Sequence, residues 1–398
     1  MAASAPLLAG CSGDEPYVAP TAAPHSDAPR PATAADTLRS LERAVRTRDE
    51  GRAAELGTGD GAGNLLTTLT RNATALRLRG VGFHYLTETG QVAADGGWTA
   101  SVEVTWQYGG FDRRPGRTTV AVSFDPDGTG ITAIGAGDGA VPLWLTGPVA
   151  VRRTDNSLVV AAGRQERHLA DYARQARVAI ASVTDVLGPG PRLVVEVPSS
   201  VQQLDRAVGA DPGTYDRIAA VTASSDGSQA PGSAVHVFLN PAVYDDLDPV
   251  AAQVVMTHEA THAATGAPLV QGVDLWLLEG FADYVALHDT TLPFSKTAAQ
   301  AIALVRRDGV PAALPSDPEF DTQASQLGTV YEEAWLVCVT LADHAGQQAL
   351  VDFYDAVTAG RDLERSLRTS FGWSLADLTA AWQEKLATLA GVPESPRG

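Results

Sequence analysis

The chain has 398 residues, 29 Lys plus Arg against 47 Asp plus Glu, a formal net charge of −18 at pH 7 and 44% hydrophobic residues. The length suits two to three domains of ~150 residues. The acidic balance excludes a nucleic-acid surface built on clustered cations and a polybasic membrane patch. Two cysteines exclude a disulfide-dense scaffold and a four-cysteine zinc site, and no run of ~18 apolar residues marks a transmembrane helix.

Leu8-Ala9-Gly10-Cys11 has the form of a bacterial lipobox. It resembles the end of a lipoprotein signal peptide, which implies that Cys11 is the acylated first residue of a mature chain held outside the cytoplasmic membrane. The apolar stretch before Cys11 is short and lacks basic residues, so a start codon upstream of Met1 is expected. Residues 12–34 are rich in Pro, Ala, Ser and Asp. They cannot bury enough surface to offset their ordering entropy, so residues 1–34 are expected to be a truncated signal and flexible tether.

Residues 35–163 read as a small α+β domain. Leu38, Leu41 and Val45 have helical spacing. After the glycines of 57–63, Leu76–Tyr85, Trp98–Trp106, Thr118–Phe124 and Gly130–Ile134 are alternating or β-branched runs, punctuated by Asp95-Gly96-Gly97 and Asp125-Pro126-Asp127-Gly128. A helix followed by a curved antiparallel meander is similar in order to NTF2-like domains. Val149–Ala162 reads as a last strand pair closing or leaving this unit. His84 is a lone strand histidine and carries no chemistry.

Residues 164–398 read as a mostly helical domain with a small sheet at its start, which makes the whole chain α+β. His168–Val186 is an expected helix, and Arg192–Val197, Ile218–Thr222 and Ala234–Leu239 are expected strands. Residues 255–262 then read Val-Met-Thr-His-Glu-Ala-Thr-His. Asp248 suits the cap of this helix, Pro249 its first turn, and Gly266 with Pro268 its end. His258 and His262 are four apart, so they share a face and are able to converge on one metal. Val250 and Val254 lie on the same stripe, which is therefore expected to be buried. Glu259 follows the first histidine and can point at the metal's open position without being a ligand. Residues 275–286, Leu-Trp-Leu-Leu-Glu-Gly-Phe-Ala-Asp-Tyr-Val-Ala, form a second helix with Asp274 at its cap. Glu279 comes 17 residues after His262, enough for a turn and return. Two His and one Glu make a three-ligand zinc site with a place for water. Asp283, four residues on, can accept the other ring N–H of a ligand histidine.

His-Glu-Ala-Thr-His followed by Trp-Leu-Leu-Glu-Gly-Phe-Ala-Asp-Tyr resembles the gluzincin metallopeptidases, especially the peptidase-MA-like group that includes the aminopeptidase-type enzymes. The resemblance covers about 165–391. It implies a zincin-type fold, one zinc ion on His258, His262 and Glu279, and Glu259 as general base. Downstream, Thr329 and Glu332 suit a capping box, and Tyr331 matches a tyrosine that in similar enzymes donates to the oxyanion.

The aminopeptidase branch carries a G-x-M-E-N segment whose Glu holds the substrate amine. No such segment precedes His258. Residues 232–240 stand there instead, reading as an edge strand that could pair with an extended peptide. His236, within it, reads as structural, and Cys338 as a small buried hydrophobe. The expected activity is zinc-dependent hydrolysis of a peptide or protein, with no nucleic-acid partner and membrane attachment only through the lipid. A zinc amidase acting on cell-wall peptides shares this chemistry. A catalytically silent scaffold lipoprotein is the alternative, and an intact Glu259 favours the enzyme.

Overall fold

The computed structural model describes residues 28–136, 139–321 and 326–392; Cys11 and most of the expected tether lie outside them. A small unit with an antiparallel sheet is followed by a second sheet and a mostly helical region. Helix α1 (Pro31–Thr47) begins inside the stretch read as tether, because Pro31 suits a first helical turn and Ala34, Thr37, Leu38 and Leu41 are already buried. After α2 (Glu50–Glu55), α3 (Ala62–Ala75) is a helix the sequence reading did not anticipate. Its threonines are poor helix formers. Their hydroxyls bond back one turn, Thr70 to the Leu66 carbonyl at 2.9 Å, while Leu66 and Leu69 fill the core.

Strands β1 (Leu78–Thr89), β2 (Trp98–Tyr108), β3 (Gly116–Phe124) and β4 (Ile131–Ala136) form an antiparallel meander in that order. Along β2 every second residue, from Trp98 through Val102 to Tyr108, faces the core, as period-two alternation requires. Asn72 is buried and donates to the carbonyls of Trp144 and Gly147.

After α4 (Leu143–Thr146), β5 (Val149–Arg153) and β6 (Ser157–Ala162) leave the first sheet and begin the second. Following α5 (Leu169–Leu187), this sheet adds β7 (Leu193–Val197), then, beyond α6 (Val201–Val208), β8 (Ala220–Ser224) and β9 (Val235–Leu239). The order is β5-β6-β7-β9-β8, with β6, β7 and β9 parallel to one another and both outer strands antiparallel. β6 and β7 are buried on both faces. Leu158, Val160 and Val194 join the core of the first unit, and Val159, Ala161 and Val195 that of the helices. Strands covered on both sides read as continuous apolar runs, as these do. β9 is therefore internal, and the expected edge strand is corrected to β8.

The helical region comprises α7 (Pro241–Tyr244), α8 (Pro249–Thr265), α9 (Leu275–Leu287), α10 (Phe294–Thr297), α11 (Ala299–Asp308), α12 (Leu327–Ala345), α13 (Gln347–Thr358), α14 (Leu363–Phe371) and α15 (Leu375–Ala390). Among the described residues, no helix is long and apolar enough to cross a membrane.

The seam between the two parts holds a buried ionic cluster. Glu196 on β7 shares its sheet face with Val194, and His236 on β9 lies opposite Ala223 and shares its face with Phe238. His236 Nδ1 is 2.7 Å from Glu196 Oε1, and Nε2 is 3.0 Å from Asp112 Oδ1 in the β2–β3 connection. The Tyr108 ring stacks on the imidazole. Burial alone would lower the His236 pKa, but the Asp112 carboxylate, and after it Glu196, raise it to about 10. Above the unfolded value of ~6.5, folding must hold a proton that the unfolded chain has released. The contribution is whole below that pH, falls as pH rises and is lost on passing about 10. His236→Gln leaves two carboxylates without their buried cation and is expected to cost roughly 3–5 kcal/mol. Urea unfolding of both proteins between pH 6.5 and 10 checks this, since the wild type should decline more steeply than the variant, in which His258 still contributes a slope; parallel curves contradict it.

Candidate metal centre

Asp248 Oδ1 accepts the backbone N–H groups of Val250 and Ala251 at 2.9 and 3.0 Å, and Gly266, at φ 70°, ends α8 as expected. Val250 is 59% exposed, contrary to the buried stripe expected. The first turn of α8 projects beyond the core, and Ala252, Met256 and Ala260 fill it instead. From Thr257 to His262 every residue is buried.

α9 is apolar around most of its circumference, as a buried helix must be. The Leu275 N–H is taken by Asp317 Oδ1 at 2.8 Å, and Asp274 makes no side-chain cap, which corrects the capping expected there. Gly280 permits the close crossing of α9 over α12, because a Cβ there would stand 2.2 Å from the Ala334 carbonyl oxygen. That approach brings Glu279 beside α8 and Tyr331 beside both.

The three expected ligands converge. His262 Nε2 lies 3.0 Å from His258 Nε2, and Glu279 Oε2 lies 3.1 Å from His258 Nε2 and 3.2 Å from His262 Nε2. A tetrahedral zinc with bonds of about 2.0–2.1 Å spaces its ligands about 3.3–3.4 Å apart, so this triangle needs only a small expansion to accept the ion. The donor set fits zinc. His258 Nδ1 is 2.7 Å from Asp283 Oδ1. That carboxylate accepts a hydrogen bond from the Nδ1 N–H, so that once the Nε2 proton is given up its lone pair faces the triangle.

The electrostatics favour a cation. Burial opposes charge on His258, yet Asp283, and after it Glu279, hold its pKa well above the ordinary value. Burial would raise the Glu279 carboxyl, but His262 and His258 outweigh that and lower it. Asp283→Ala is expected to reduce zinc affinity roughly 10–100-fold. Competition against a chromophoric chelator measures this, and unchanged affinity would refute the orienting role of Asp283.

Tyr331 packs its ring 5.9 Å from that of His258 and meets the Phe320 ring edge-on. Its phenol is held well above the ordinary pKa by burial first, then by the carboxylates of Glu279, Asp283 and Glu259 and by a hydrogen bond to Glu279. It therefore stays a donor. The capping box expected nearby does not form. α12 starts at Leu327, so Thr329 is inside the helix, and Glu332 accepts the Ala301 N–H at 2.8 Å. His84 is exposed, Cys338 is buried, and His236 lies in the seam rather than at the metal centre.

One partner escaped the sequence reading. The Thr222 hydroxyl, on edge strand β8, is 2.6 Å from Glu259 Oε2. Period-two spacing places Thr222 on the face of Ala220, which joins the core of the helices, but nothing in the sequence said which helix that face meets.

No family model and no curated protein matches the sequence. Among solved structures, a two-domain M1 zinc metallopeptidase, crystallised as a mutant bound to L-arginine, is similar at a TM-score of 0.33 and 14% identity. The match covers 81% of this chain and 62% of that one, a distant likeness that carries no residue across.

Proposed function

We propose that the chain is a zinc-dependent peptidase that uses a metal-activated water with Glu259 as general base. The observation that carries this reading is the convergence of His258 Nε2, His262 Nε2 and Glu279 Oε2. Among the described residues these three alone form such a group. A structural zinc is closed by four protein ligands, whereas three leave a position for water.

When bound, zinc would acidify a water towards a pKa of ~7 and polarise the substrate carbonyl. Glu259 takes the proton of the attacking water and returns it to the leaving amine. Asp283 keeps His258 in the ligating tautomer through the 2.7 Å contact. Tyr331, protonated throughout the physiological range, donates to the carbonyl oxygen as negative charge gathers on it. Tyr331→Phe is expected to lower kcat roughly 100-fold with zinc content unchanged; full activity in that variant would remove the tyrosine from the mechanism.

The reading is tested by hydrolysis of a fluorogenic peptide library, abolished by phenanthroline and restored by zinc. Failure of the zinc-loaded protein to cleave any member would leave the scaffold alternative. The anchor is proposed from Leu8–Cys11 and the Pro/Ala-rich run after it. The intact mass of membrane-extracted protein tests it, and an unmodified Cys11 would contradict the anchor without touching the peptidase reading.

A further inference from the structure

We infer that Thr222 is a positioning residue for the Glu259 carboxylate, through which the free edge of the second sheet sets the general base; this rests on the reading of Glu259 given above. Thr222 Oγ1 is 2.6 Å from Glu259 Oε2 and 3.0 Å from the Glu259 backbone oxygen. Both residues are buried, at 8% exposure each. The hydroxyl has one proton to give. The shorter contact is to the carboxylate, where a charge-assisted hydrogen bond is the stronger use of it.

Three features make Thr222 suited to this. Its branched Cβ restricts χ1, so the hydroxyl is held with little entropy left to lose. Its strand is fixed in register against β9, with Thr222 opposite Val237. β9 is in turn paired to β7 in the centre of the sheet. The carboxylate is thus referenced to the sheet as well as to its own helix. The contact also divides the labour of the two carboxylate oxygens. Oε2 already accepts from the hydroxyl, which makes it the weaker base of the two, so the proton from water goes preferentially to Oε1, which takes no hydrogen bond from the described residues. A carboxylate free to turn about χ3 would present the correct oxygen only part of the time, and a loss of geometry at the base appears in turnover rather than in substrate binding.

Thr222→Val removes the hydroxyl at nearly constant shape, and Thr222→Ser keeps the hydroxyl without the methyl. T222V is expected to lower kcat roughly 10–100-fold with KM within about twofold, while T222S stays within about threefold of the wild type. Zinc stoichiometry should be unchanged in both, and T222V should melt a few degrees lower because a buried carboxylate oxygen loses its partner. A T222V protein with wild-type kcat overturns the inference. So does a T222S protein that loses as much as T222V, since the strand's packing would then be what matters. If T222V does not fold, T222A is compared with T222S in its place.

A binding readout separates this inference from the peptidase reading. Acetohydroxamate gives up a proton to a neighbouring base as it binds zinc, and its affinity for the zinc-loaded protein can be measured by calorimetry. T222V should weaken it about fivefold or more in the wild-type background and less than about twofold beside Glu259→Gln. Coupling of that kind in a protein that cleaves no peptide would support the Thr222–Glu259 pair while the peptidase reading fails. Additive effects overturn the pair, and a protein that takes up no zinc overturns both.

Discussion

Glu259→Gln is expected to lose roughly 10²–10⁴-fold in kcat/KM, the usual worth of a general base, while keeping its zinc. Gln matches Glu in size, so the buried site does not collapse. Its amide oxygen can still accept from Thr222, preserving the contact at 2.6 Å. What it cannot do is take a proton from water. Zinc should stay because Glu259 is not one of the three converging donors. Steady-state kinetics paired with metal analysis of the same preparation provides the check. Hydrolysis at the wild-type rate, after removal of contaminating protease, would refute the assignment of the base.

Glu279→Ala is expected to act on the metal itself. It removes the one anionic donor and leaves two imidazoles facing a cavity. Zinc affinity should fall by more than the roughly 10–100-fold that loss of an outer hydrogen-bonding partner costs, and hydrolysis should fall with occupancy. The variant also exposes the proton balance. With Asp283 foremost in holding the His258 pKa up, zinc must displace a proton to bind. Affinity of the wild type should therefore rise with pH, and zinc uptake should release protons into weakly buffered solution. Glu279→Ala with undiminished affinity, measured by chelator competition, would mean that α9 does not deliver a ligand.

The centre was legible because helical geometry is local. Residues i and i+4 on α8 share a face, and 17 residues allow a turn and return that can bring a second helix back against the first. The caps themselves were less reliable. Asp248 caps α8, but Asp317, distant in sequence, takes the role expected of Asp274. A long-range competitor for an N–H group leaves no local trace. Strand order was hidden for the same reason. Alternation says which residues share a face, not which strand lies beside which, so β8 rather than β9 forms the edge and His236 lies in the seam with Asp112 and Glu196. The Thr222 contact could not be read from sequence, since it depends on that order. In α3, burial of Leu66 and Leu69 outweighs the low helix propensity of its threonines, an override that only packing explains.

The most direct measurement is zinc-edge X-ray absorption on the purified, dialysed protein together with its metal stoichiometry. One zinc per chain is expected, with two imidazole nitrogens and light oxygen ligands at about 2.0–2.2 Å and no sulfur. The ion should be lost when His258 and His262 are both replaced by Ala. Zinc absent at saturating supply, sulfur in its coordination sphere, or an ion retained without both histidines would contradict the central claim.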